Sequence, residues 1–171
     1  MAAVPKTPVD KIRVSLTTNA QQPKDSNGES FLFIGGREFR INQTDHGDKQ
    51  PGKEDVVTLG EGSTAVDPTF HDPQKPYGTA EPLIEDLDKY PVWLRFDPVD
   101  GKDNWHLDRA LVEVFAKGDP SNKPTKKYEI LSGSADKKLV LGKLYGLYVS
   151  LGPWITVPTG TSTTTSPKPP V

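Results

Sequence analysis

The 171-residue chain contains no cysteine. That excludes disulfide cross-links, a thiolate nucleophile and any cysteine-ligated metal, and it is compatible with a reducing compartment. The chain also lacks an apolar run long enough for a membrane-spanning helix, and its first residues, MAAVPKTPVDK, lack the apolar stretch of a classical export signal. The cytoplasm is therefore the default location. Charge of one sign is missing as well: 21 basic residues stand against 23 acidic ones, a formal net charge of −2. Such a balance gives no long-range attraction for nucleic acid, so none is expected as a partner. Neither heptads nor a fixed-period repeat is found.

What is present points to strands and turns. Apolar residues make up 33%, while 17 prolines and 15 glycines break the chain often, which suits a loop-rich all-β protein with disordered ends. The length suits one domain. Residues 1–9 read as a flexible arm, 10–157 as the folded body, and 158–171 (PTGTSTTTSPKPPV) as a disordered Thr/Pro-rich tail. Short apolar runs recur at 11–18, 30–34, 37–42, 55–59, 91–96, 105–115, 127–131, 138–142, 144–151 and 154–157, the pattern of an antiparallel β-sandwich. One helical turn is expected within 80–89, with Pro82 in its first turn. The stretch 139–151 reads as two strands joined tightly around Gly142 or Gly146, an added hairpin that covers a sheet edge.

The most specific stretch runs from Tyr90 to Phe115. Val92, Leu94 and Phe96 share one parity and Trp93 and Arg95 the other, as in a half-buried strand. After the polar turn, Trp105 and Leu107 share one parity but Ala110, Val112 and Val114 share the opposite one. The apolar phase slips at Asp108 and Arg109, which predicts a β-bulge there, and these two residues are expected to pair locally. Trp105 reads as a core residue.

This hydrophobic strand, polar loop and Trp105-His106-Leu107-Asp108-Arg109 segment resemble the closing hairpin of PLAT (lipoxygenase-homology) domains. Lys11–Thr18 is similar to the first strand of that family, and Ser26–Gly36 to its polar turn and second strand; Arg37–Ile41 with the acidic loop after it also fits. The resemblance covers roughly residues 10–116 and departs at the long 60–82 insertion and beyond Phe115. It implies a PLAT-like β-sandwich, here with extra C-terminal strands, that docks on lipid surfaces or protein partners.

Two loops are rich in the hard oxygen donors that calcium takes in sets of six to eight. Asp25, Asn27 and Glu29 lie in one, and Asp97, Asp100 and Asp103 in the other. Some PLAT domains bind calcium in loops at one end of the sandwich, and the resemblance places the first loop in a comparable turn. The alternative is two ordinary turns built from good turn formers; the ordered EF-hand pattern is absent.

For partner binding the candidates are Trp93, Phe70 and Tyr77. Trp93 breaks the inward alternation, so it either faces outward as an anchor or lies beneath the C-terminal hairpin, with the covered placement favoured. Phe70 and Tyr77 either crown the 60–82 insertion or pin it to the body. No Gly-x-Ser-x-Gly is present, His46 and His71 fall in loops, and His106 falls on a sheet face. The carboxylate pairs Glu54–Asp55 and Glu85–Asp86 read as solvated surface.

The leading expectation is a non-enzymatic binding module that recognises a lipid interface or protein partner through loop tips, with or without calcium. Two rivals belong to other classes. One is an assembly protein that uses its C-terminal strands as an interaction surface; the other is a carbohydrate-binding sandwich with Trp93 or Tyr77 as a stacking platform.

Overall fold

The computed structural model describes residues 6–43, 49–75, 81–131 and 138–152. His46, Tyr77, the 154–157 run and the Thr/Pro tail lie outside these residues. The described chain forms nine strands: β1 (Val9–Thr18), β2 (Glu29–Ile34), β3 (Arg37–Arg40), β4 (Glu54–Gly60), β5 (Val92–Asp97), β6 (Trp105–Ala116), β7 (Lys126–Ile130), β8 (Leu139–Leu141) and β9 (Tyr148–Gly152). A short 3-10 helix at Ile84–Lys89 fills the expected helical position.

Two antiparallel sheets result. One has the order β4-β1-β6-β7, with β8 also on β6; the other has the order β3-β2-β5-β9. The fold is therefore an all-β sandwich. Its core lies between the sheets, where Ile12, Val14, Leu16, Val112 and Val114 from one meet Leu32, Phe39, Leu94 and Phe96 from the other. Trp105 is completely buried, tilted against Phe96 with ring centroids 5.7 Å apart. Its indole N–H donates to Thr18 Oγ1 at 2.9 Å, so the one polar atom of the ring is satisfied in the core.

The predicted bulge is present. Thr17 pairs with Arg109 while Thr18 pairs with Leu107, so Asp108 is the extra residue of β6. This insertion keeps both Leu107 and Ala110 buried despite their opposite parity. The expected Asp108–Arg109 pair is replaced by longer-range partners. Asp108 accepts from Asn19 Nδ2 at 2.7 Å, and Arg109 reaches Glu129 at 2.8 Å and Glu54 at 3.7 Å. Bulge geometry sends successive side chains to different neighbours, which is why adjacency in sequence does not make them partners.

The C-terminal hairpin is the main correction. β8 pairs with the start of β6 and β9 pairs with β5, so the two strands join different sheets and the 142–146 turn crosses between them. β7 covers β6 only at Ala110–Val114, leaving Trp105–Leu107 open to β8, while the bare edge of β5 takes β9. One strand on each vacancy satisfies more backbone groups than a hairpin on either.

Residues 7–9, inside the expected flexible arm of 1–9, are instead tied down. Val9 donates to the Pro82 carbonyl and Ile84 to that of Thr7, both near 3 Å, and β1 begins at Val9. The 60–82 insertion is held by polar contacts. Thr64 folds back on Thr58 beside the β4 edge, and Arg37 donates to the carbonyls of Phe70, Asp72 and Lys75.

Candidate functional site

Pairing brings four connections to one end of the sandwich: 19–28, the described parts 41–43 and 49–53 of the next, 98–104 and 142–147. Their mutual contacts are tight. A Cβ on Gly28 would overlap the Phe96 ring, and one on Gly142 would overlap Asn104 Oδ1. Phe96 also donates its N–H to the Leu147 carbonyl at 2.8 Å. Glycine is required at position 28, where the Phe96 ring and the Asp97 carbonyl leave no room, whereas at 142 the Asn104 side chain would have to turn away.

This end carries both of the loops nominated for calcium, and the structure shows what their carboxylates do. Asp100 Oδ1 accepts the backbone N–H groups of Lys102 and Asp103, at 2.6 and 2.9 Å; the first of these, then the second, holds its carboxyl below the ordinary range. Asp103 is buried and accepts from Val99 N–H at 3.1 Å. Asp97 lies 3.6 Å from Arg95, and Glu29 pairs with Arg40. Asp25 and Asn27 are exposed. Among the described residues no three His, Asp or Glu side chains gather as a group that could hold a metal ion.

A cation of the chain's own occupies this end. Lys49 is only 2% exposed, and its ammonium donates to the Gly28 carbonyl at 2.7 Å, within 6.0 Å of the Phe96 ring centre and 5.7 Å of the Trp105 ring. Two aromatic faces and a carbonyl offset the cost of burying the charge. Its backbone adopts φ of +64° and is fixed on both sides, the N–H by Asp55 Oδ2 and the carbonyl by Gln22 Nε2. Sequence reasoning missed Lys49 because a lysine in a polar run carries no sign of burial.

The outward surface of the same end is apolar at its tips. Val99 is 69%, Leu144 81% and Tyr145 64% exposed. All three lie on the adjoining 98–104 and 142–147 loops, flanked by exposed Lys24, Lys102 and Lys143. Leu144 and Tyr145 were hidden in sequence because they sit inside an apolar run that reads as strand. The signal that could have revealed them is their position between Gly142 and Gly146, the latter at φ +116°.

The nominated aromatic residues lie elsewhere. Trp93 is 37% exposed on the outer face of the second sheet, with β9 beside β5 rather than over it, so the covered placement is corrected. Phe70 is exposed at the opposite end of the sandwich, leaving Arg37 to pin its loop. His71 Nδ1 accepts the Arg40 N–H at 3.1 Å, and burial, followed by nearby Arg37, keeps its pKa low. His106 lies part-buried on β6, where burial, followed by Lys138, also lowers its pKa.

No family model matches this chain, and no curated protein matches it either. No helix among the described residues is long and apolar enough to cross a membrane.

Proposed function

We propose that this protein is a non-enzymatic, PLAT-like binding module that docks on a lipid interface through the 98–104 and 142–147 loops, without calcium. The observation that carries this reading is the exposure of Val99, Leu144 and Tyr145 on two touching loops at one end. Apolar side chains at loop tips enter the acyl boundary, a tyrosine suits the headgroup layer, and lysine stems reach back to phosphate level.

Burying a valine or leucine contributes roughly 1.5–3 kcal/mol. Three such tips would give a gross attraction of about 4.5–9 kcal/mol, equivalent to a dissociation constant between about 10⁻³ and 10⁻⁷ M before the costs of association. Lys24, Lys102 and Lys143 are balanced by Asp25, Asp97 and Asp100, so attachment should depend little on anionic lipid. The engaged carboxylates and the buried Lys49 support calcium independence.

Vesicle sedimentation tests the reading. Phosphatidylcholine vesicles should retain the protein equally in EDTA and in millimolar calcium, and Leu144→Asp combined with Tyr145→Asp should abolish retention. Absence of retention of the natural chain, or full retention of the double variant, would sink the proposal.

A further inference from the structure

A second surface has a different chemistry. Residues directly opposite in neighbouring strands share a face. In the second sheet Phe33 pairs with Trp93 and Glu38, Phe31 with Arg95 and Arg40, Arg95 with Tyr148, and Trp93 with Ser150. Four aromatic side chains therefore occupy the outer face of three adjacent strands, where a sandwich ordinarily presents polar residues. Trp93 and Tyr148 are exposed, whereas Phe31 and Phe33 are part-covered.

The charges of this face are already paired. The Arg95 guanidinium lies 3.8 Å from the Phe31 ring centre, bonds Glu38 through two nitrogens at 3.0 Å each, and sits 3.6 Å from Asp97. Arg40 pairs with Glu29. A phosphate or sulfate would have to break these pairs, while an uncharged ligand would leave them in place as a rigid polar rim.

Glu38 also lines a cleft of about 440 Å³ with Gly36, Arg37, Phe70 and His71, within the size range of ligand sites. His71 Nδ1 is taken by Arg40 N–H, leaving Nε2 as the ring's remaining polar atom. Arg37 is fixed by three carbonyls, so the cleft wall is preorganised.

We infer that the outer face of the β3-β2-β5-β9 sheet and the cleft at its β3 edge bind an uncharged oligosaccharide. Apolar sugar faces stack on Trp93 and Tyr148, and ring hydroxyls meet Glu38, Ser150 and the cleft. The cross-strand spacing of roughly 5 Å and the diagonal spacing of roughly 7–8 Å suit a chain of flat, polyhydroxylated rings. A lipid interface fits this face poorly because its aromatic residues sit in the middle of strands rather than at a loop tip, so the surface is independent of the proposed lipid-docking loops.

The test is affinity electrophoresis and fluorescence titration of the full chain with cellohexaose, xylohexaose, maltohexaose and chitohexaose, and with a sulfated hexasaccharide as the charged probe. At least one uncharged hexamer should bind. Trp93→Ala should weaken it by about tenfold or more and Trp93→Tyr should restore most of the affinity, in line with the loss and return of one stacked ring. Unchanged circular dichroism and thermal midpoint in Trp93→Ala separate this loss from misfolding, and the Leu144→Asp, Tyr145→Asp variant should bind as the natural chain does. Binding to none of the uncharged hexamers, binding only to the sulfated one, or affinity unaffected by Trp93→Ala would overturn the inference.

Discussion

The Lys49 ammonium donates to the Gly28 carbonyl at 2.7 Å from a position almost sealed off from solvent. The bond links the 19–28 connection to the segment before β4, with Phe96 and Trp105 as its aromatic surroundings. Lys49→Met keeps the length of the side chain but leaves that carbonyl without its charged donor. It should lower the free energy of unfolding by about 1.5–3 kcal/mol, measured by urea denaturation. A loss below about 0.5 kcal/mol would show that the bond does not hold the loops together.

Calcium should not change the thermal midpoint. A ligand that binds only the native state must raise it by mass action, and the carboxylates of Glu29, Asp97, Asp100 and Asp103 are engaged by backbone N–H groups or arginines, leaving Asp25 exposed. Equal midpoints in EDTA and in millimolar calcium are expected. A rise of several degrees, lost in Asp25→Ala or Asp103→Ala, would show that these loops rearrange to gather the ion.

Deleting Asp108 should be far more damaging than replacing it. Asp108→Ala removes one hydrogen bond to Asn19 and should cost about 1 kcal/mol. Deletion removes the extra residue of the bulge, so Trp105 and Leu107 would change faces relative to β1. Loss of cooperative unfolding, followed by circular dichroism, is expected for the deletion alone; equal stability of the two variants would refute this role for the bulge.

Glu113 should contribute to the acid limb of stability. Burial raises its pKa, but hydrogen bonds from Arg13 and Lys127 outweigh that and leave it below the ordinary value of 4.5. A carboxyl with a depressed folded pKa stabilises the protein above its unfolded pKa, and this contribution fades as pH falls from about 4.5 through the folded value. Glu113→Gln should lower stability at pH 7 by about 1–2 kcal/mol and flatten its decline below pH 4.5. An unchanged acid limb in denaturant titrations would argue against the ion pairs.

The sequence carried the fold wherever the signal was local. The alternation in Val92–Phe96 and the phase slip at Asp108 specify inward faces and a bulge without knowledge of any partner strand, and both are present. Pairing over distance was not legible. Nothing in Leu139–Gly152 distinguishes a hairpin from two strands on separate sheets, because the choice depends on which edges of β5 and β6 are vacant. The loop tips followed the same rule: Leu144 and Tyr145 are apolar, and only their turn between strands on different sheets exposes them. Lys49 was illegible for the opposite reason, since its burial depends on Phe96 and Trp105 far along the chain.

The order of pairing sets the timetable of folding. β1 precedes both of its partners in the chain, yet it lies between β4 and β6 and must await Trp105–Ala116 before its second side is covered. β8 and β9, joined by the 142–146 crossing, then add one strand to each sheet. A nascent chain must therefore carry an unpaired β1 edge until β6 has emerged. Such non-local pairing folds slowly, in milliseconds to seconds, and leaves an exposed edge vulnerable to association with other chains during that interval.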